Sequence, residues 1–109
     1  VEGADGGGDE VPVAEAPTSL RLDAAWPNPF NPRTNLRYAL PRDGNVEVTI
    51  HDLQGRLVRT LVRGAQFAGE HQVSWDGRAD DGRPVPSGPY LGRVSGGGQV
   101  RSVKLALLK

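Results

Sequence analysis

Val46-Glu47-Val48-Thr49-Ile50-His51, followed by Asp52-Leu53-Gln54-Gly55, is the stretch on which the fold turns. Val46, Val48 and Ile50 alternate with Glu47, Thr49 and His51, which is the period-two signature of a half-buried strand. Gln54-Gly55 then breaks the run with turn chemistry. The same texture repeats on both sides. Leu36, Tyr38 and Leu40 alternate with Asn35, Arg37 and Ala39. His71, Val73 and Trp75 share one face against Gln72 and Ser74. Tyr90, Gly92 and Val94 oppose Leu91 and Arg93, and Val103, Leu105 and Leu107 oppose Ser102, Lys104 and Ala106. Ser19–Asp23 reads as a weaker first strand, and 57–63 as either strand or helical turn.

Between these runs lie Asp43-Gly44-Asn45, Gln54-Gly55 and Gly96-Gly97-Gly98, where glycine supplies the positive φ of tight turns. Prolines at 27, 29, 32, 41, 84, 86 and 89 keep their loops out of central strands. No helical pattern of 10–12 residues survives these breaks. The expectation is all-β: an immunoglobulin-like antiparallel β-sandwich of about seven strands, joined by hairpins. The candidate core is Leu36, Tyr38, Leu40, Val46, Val48, Ile50, Leu61, Val73, Trp75, Tyr90, Val94, Val103, Leu105 and Leu107. His51 should face solvent, and His71 should lie near Trp75.

The chain has 109 residues, 37 % hydrophobic and 24 % charged, with a formal net charge of zero. That balance excludes a collagen, a coiled coil, a wholly disordered chain and a strongly basic nucleic-acid binder. No apolar run is long enough to form a membrane-spanning helix. Cysteine is absent, which removes disulfides, thiolate metal sites and thiol nucleophiles. The chain opens on Val1 and holds no methionine, the expectation for a processed product or a piece of something longer.

Charge divides the sequence in two. Residues 1–18 carry Glu2, Asp5, Asp9, Glu10 and Glu15 and no base, among glycines and Pro12 and Pro17. This segment reads as an acidic linker or tail, unable to bury enough apolar surface to order itself. Its alternative reading is that Val11-Pro12-Val13-Ala14 adds to a sheet edge. Residues 19–109, the sandwich, hold thirteen bases against eight acids, a net of +5.

Reactive chemistry is hard to find. There is no Gly-x-Ser-x-Gly elbow, phosphate-binding loop or dinucleotide fingerprint. His51 and His71 read as ordinary strand residues. Asp76, Asp80 and Asp81 are the calcium candidate, since calcium wants several converging carboxylates. Arg78 and Arg83 already offer counter-charge there, and aspartate before glycine is also turn chemistry. Arg56, Arg59 and Arg63, and Arg33, Arg37 and Arg42, read as solvated basic faces.

Five motifs recur in order. They are Trp26-Pro27-Asn28-Pro29-Phe30-Asn31-Pro32 with Thr34, Leu36, Tyr38 and Leu40-Pro41; Val46-x-Val48-x-Ile50-x-Asp52-x-x-Gly55-Arg56; Gly69-x-His71 leading to Trp75-Asp76-Gly77-Arg78; Asp81-Gly82 with Val85-Pro86-Ser87-Gly88-Pro89-Tyr90; and a closing strand with Lys104, Leu105, Leu107 and Lys109. Together they resemble the type A C-terminal sorting domain of the type IX secretion system. They are also similar to the immunoglobulin-like domain of flagellar hook-capping proteins. His51 and Gly92 depart from the pattern, standing where an aromatic residue is common.

Each motif has a local reading as well. Pro29 and Pro32 fix the backbone so that Phe30 plugs one end of the sandwich. Asn28 and Asn31 bond neighbouring backbone within their loop, Asp52 and Gly55 make a hairpin turn, and Gly69 and Gly88 open strands.

The resemblance implies a non-catalytic module without a cofactor. Its partners would be an outer-membrane translocon, a sortase-like peptidase and a fused N-terminal cargo. Its location would be secreted or at the cell surface, by way of the periplasm. Recognition would rest on the last strands, Gly88–Ser95 and Gln99–Leu108, and so on Val103, Lys104, Leu105, Leu107 and Lys109. Cleavage would fall within 1–18. Two alternatives stand beside it: an assembly domain that polymerises by strand addition, and an accessory calcium- or carbohydrate-binding sandwich of a secreted enzyme.

Overall fold

The computed structural model describes residues 19–109. The linker reading of 1–18 and the strand reading of Val11–Ala14 lie outside the described residues. Among the described residues seven strands form, in chain order: β1 (Arg21–Leu22), β2 (Thr34–Leu40), β3 (Gly44–His51), β4 (Leu57–Gln66), β5 (Gly69–Trp75), β6 (Gly88–Gly96) and β7 (Gln99–Leu107). They make two antiparallel sheets, one ordered β1-β2-β5 and the other β4-β3-β6-β7. No described residue is helical, so 57–63 resolves as strand.

The sheets face each other across the period-two apolar faces. Leu36, Tyr38 and Leu40 of β2 and Trp75 of β5 meet Val46, Val48 and Ile50 of β3, Tyr90 and Val94 of β6, and Leu105 and Leu107 of β7. Trp75 is fully buried, with Phe30 and Tyr90 rings 5.6 and 5.4 Å from its own. Its indole N–H donates to the Arg78 carbonyl at 2.9 Å, which satisfies the one polar atom it brings inside. Leu20, Ala25, Phe30, Ala39 and Val85 complete the buried set. Ala39 lies on the opposite parity of the β2 run, and the other four belong to no alternating run long enough to announce itself. Leu61, Val73 and Val103 are only partly buried at the margin of the core. They sit on β4, β5 and β7, the outer strands of their sheets, where the partner sheet covers one side less fully.

One expectation about connections is corrected. Asp43-Gly44-Asn45 is not a hairpin turn, because β2 and β3 belong to different sheets. The chain crosses the sandwich there, and crosses back again between β4 and β5. By contrast Gly97-Gly98 closes a true two-residue hairpin between β6 and β7, with Gly96 opposite Gln99. Both glycines have positive φ, 59° and 80°, the condition for the type I′ turn whose twist matches the strands.

Both histidines are also corrected. His51 is buried, only 9 % exposed, on the outer face of the larger sheet. It lies on a central strand with neighbours on both sides, and its ring is held between Thr49 Oγ1 at 2.8 Å and the Gly55 carbonyl at 3.3 Å. His71 stacks on Tyr38 directly across the β2–β5 pair, 5.4 Å between centroids, rather than on Trp75. Its Nε2 bonds the Phe67 carbonyl at 2.7 Å.

Candidate functional site at the edges of the larger sheet

The motif residues gather mainly at one end of the sandwich, around the ends of β3 and β7 and the starts of β4 and β6. The Asp52–Gly55 turn forms as expected. Gly55 has φ of 89°, and its N–H donates to the Asp52 carbonyl at 3.0 Å. Asp52 Oδ1 accepts from the N–H groups of Gln54 and Arg56, and Oδ2 accepts from Arg56 Nε. The Arg56 N–H is the main reason the Asp52 carboxyl sits below the ordinary carboxylate range; partial burial opposes it less strongly. Tyr90 donates its hydroxyl to the Pro86 carbonyl at 2.6 Å. Burial, and next the Asp52 charge, push that phenol above its usual value. Gly88 opens β6 and Gly69 opens β5.

Phe30 is the plug that its prolines predict, 2 % exposed beneath Trp75. It does more than fill space. Its N–H donates to the Ala106 carbonyl and its carbonyl accepts from the Leu108 N–H, both at 2.9 Å, in a short parallel bridge to β7. Pro29, Asn31 and Pro32 stay exposed around it.

Asn28 is a correction. Its side chain does not bond its own loop. It reaches the edge of β7, where Nδ2 donates to the Lys104 carbonyl at 3.0 Å and Oδ1 accepts from the Ala106 N–H at 2.9 Å. No side-chain hydrogen bond forms at Asn31 among the described residues. The Asn28–Phe30 loop thus acts as a stub of strand along the C-terminal half of β7. Carboxamide geometry suits this, since one planar group offers a donor and an acceptor side by side, as a peptide does.

The opposite edge of the same sheet is covered in a matching way. Asp80 donates its N–H to the Val58 carbonyl at 3.0 Å, and its Oδ1 accepts from the Thr60 N–H at 2.9 Å. The loop that carries it is itself a small hairpin. It is pinned by Arg78 bridging to Pro84, by Ala79 N–H to the Arg83 carbonyl, and by Val85 N–H to the Gly77 carbonyl. Gly77 is required there: its φ is +78°, and a Cβ would stand 3.1 Å from the Pro32 carbonyl oxygen.

This geometry accounts for the calcium candidate. Asp76 Oδ1 accepts from the Arg78 N–H and faces Arg59 Nη1 at 3.5 Å; Asp80 serves β4; Asp81 Oδ1 accepts from the Arg83 N–H. Among the described residues no three metal-ligating side chains converge. The arginine cluster is likewise paired: Arg56 with Asp52, Arg59 with Asp76 and Asp80, and Arg63 with Glu47.

The last-strand residues divide sharply. Leu105 and Leu107 are fully buried and Val103 is partly so, all packed into the core. Lys104 and Lys109 are exposed, and the Lys109 N–H donates to Ser87 Oγ at 3.0 Å. The lysines and the backbone edge are thus what the folded domain exposes along this strand, and the leucines hold that edge in place. Sequence reasoning singled out Asn28 and Asp80 but missed their role as edge covers, because each partner is remote in the chain.

Two antiparallel sheets closed face to face, capped by loops at one end, define an immunoglobulin-like β-sandwich. The FlgD Ig-like domain model matches residues 32–99, and the chain belongs to that family. It is 51 % identical over 45 residues to the basal-body rod modification protein FlgD of Salmonella typhimurium, a match covering 41 % of this chain and 19 % of that protein. The chain thus spans about a fifth of the length of that relative. Among solved structures it is similar to dimeric latent PorU from Porphyromonas gingivalis. The TM-score is 0.63 and the identity 25 %, covering 92 % of this chain and 10 % of PorU. It also shares its fold with PorZ of the same organism, described as an essential bacterial surface component of the type-IX secretion system. There the TM-score is 0.50 and the identity 24 %, over 83 % of this chain and 11 % of PorZ.

Proposed function

We propose that this sandwich is a non-catalytic sorting and anchoring domain, read as a folded unit by the type IX secretion machinery and fused to a cargo on its N-terminal side. The observation that carries the reading is the construction of β7. Its leucines are buried and its C-terminal half is held by Asn28 and Phe30, while Lys104 and Lys109 stand exposed beside it. Such a strand offers an address that exists only when the domain is folded. The order of the five motifs and the likeness to PorU support the same reading. The route would run through the periplasm to the cell surface. The partners would be an outer-membrane translocon and a sortase-like peptidase acting within 1–18.

The test is export of a reporter fused ahead of the chain in a type IX host. Surface or medium location is expected, and the Lys104→Glu/Lys109→Glu pair should reduce export while leaving thermal stability within a few degrees. A reporter that stays inside the cell with an intact, folded domain would overturn the proposal.

A second reading has its own support. The 51 % identity to FlgD over 45 residues favours an assembly domain of the flagellar kind. It predicts concentration-dependent association of the purified chain by sedimentation, and incorporation into an extracellular structure rather than delivery of cargo.

A further inference from the structure

The cover over β7 stops halfway. In the antiparallel ladder with β6, alternate residues of β7 point their N–H and C=O groups toward β6 and away from it. The contacts with Asn28 and Phe30 show which set points outward: the Lys104 carbonyl, both groups of Ala106 and the Leu108 N–H are all bonded from that side. The even-numbered residues therefore form the free edge. Of these, the Val100 N–H, both groups of Ser102 and the Lys104 N–H have no partner among the described residues. The Val100 carbonyl accepts only from the neighbouring Arg101 side chain at 3.0 Å. Val100 itself is 53 % exposed. An open edge of this kind is a template for pairing with another strand.

The chain supplies an occupant. Its described part begins beside this edge, where the Leu20 N–H donates to Gln99 Oε1 at 2.9 Å. Eighteen residues precede Ser19, with five acids and no base, against a sandwich of net charge +5. The open half-edge carries Arg101 and Lys104, and neither makes an ion pair among the described residues. Within the eighteen, Val11-Pro12-Val13-Ala14 is the one run of non-acidic residues without glycine that stands between acids, with Glu10 before it and Glu15 after.

Proline would set the facing of a strand added here. Pro12 has no N–H to give, so in such a strand it would face away from β7 and Val11 and Val13 would face the edge. Setting Val13 opposite Ser102 places Val11 opposite Lys104 and Glu15 opposite Val100, antiparallel to β7. Four residues, Ala16 to Ser19, remain to turn back to Leu20, a span of at most about 14 Å.

We propose that residues 11–15 dock on the Val100–Lys104 edge as an added strand. The segment shields the free half of β7 from pairing with other chains. This holds whichever function the domain serves, and its failure would leave the sorting reading untouched.

Amide hydrogen exchange on the full 109-residue chain tests it. The Val100, Ser102 and Lys104 amides should be protected at least about 10-fold over an open strand edge, with Ala106 and Leu108 as internal references already bonded by Asn28 and Phe30. Val13→Pro removes a donor that faces β7 and should return the three amides to fast exchange, with the references unchanged. Ala14→Pro removes a donor that faces away and should leave them protected. Fast exchange in the unsubstituted chain overturns the proposal. So does an equal effect of the two prolines. Protection that grows with protein concentration assigns the edge to a second copy and overturns it as well.

Discussion

Truncating Phe30 to alanine tests how much of the fold depends on the loop before β2. Phe30 is 2 % exposed, and its ring is one of two aromatic neighbours of the fully buried Trp75. Phenylalanine-to-alanine changes at such sites cost about 3–5 kcal/mol, the range reflecting how far the cavity collapses. The upper half applies here, because Trp75 is rigid and Leu107 is held by its own strand pairing, so neither can move far into the gap. In a domain of this size each kcal/mol moves Tm by about 4–8 °C, so Phe30→Ala, at the upper-half cost of about 4–5 kcal/mol, should lower it by roughly 16–40 °C. Asn28→Ala removes only two exposed side-chain hydrogen bonds and should cost about 1–2 kcal/mol. Thermal unfolding followed by circular dichroism, with urea titration to confirm an unchanged m-value, measures both. A Phe30→Ala shift under about 5 °C, or an Asn28→Ala loss larger than that of Phe30→Ala, would refute the idea that the loop holds β7 chiefly by burying an aromatic ring.

Three further outcomes follow from named contacts. Gly92→Ala places a Cβ 3.3 Å from Leu36 Cδ2 and 3.5 Å from Val103 Cγ1, between the sheets; it should cost about 1–3 kcal/mol by overpacking, and an unchanged denaturation midpoint would contradict the packing described. Asp80→Ala strips the cover from Thr60 and should destabilise by about 1 kcal/mol, equally with and without millimolar calcium; a calcium-dependent rise in Tm of the unsubstituted chain would instead make the loop an ion site. Asp52 has a carboxyl pKa lowered by folding, so its stabilising effect is complete above the unfolded value of about 4 and is lost as pH falls through the folded value. The Tm gap between the wild-type chain and Asp52→Asn should therefore be open at pH 7 and narrow below about pH 4, and a gap constant from pH 7 to pH 3 would disprove the linkage.

The strands were legible because one-sided burial writes itself as alternation, and β2, β3, β6 and β7 each carry it. Sheet membership was not legible in the same way. Asp43-Gly44-Asn45 has the composition of a hairpin turn, yet it joins the two sheets, because a short polar loop can fold back or cross over with the same residues. Leu20 and Val85 escaped notice since each is an isolated apolar residue in a polar context, buried by what the fold brings over it. His51 was read outward from parity, and it does lie on the outer face. Parity gives the face of a sheet, whereas depth depends on how many neighbouring strands stand on either side.

The same limit explains the candidate site. Asp76, Asp80 and Asp81 attract attention as a carboxylate cluster, and Asn28 as a loop residue beside proline. Neither reading anticipates that Asp80 and Asn28 each stand in for a missing strand, one on each edge of a four-stranded sheet. A sheet of this size has two edges to manage, and both are covered at the same end of the molecule. At the other end, beside the Gly97-Gly98 hairpin, the start of β7 has no cover among the described residues, and Leu20 lies next to it. The exposed Lys104 stands where the covered and open halves meet, and a charged side chain at an edge is one of the ways a sheet discourages unwanted pairing.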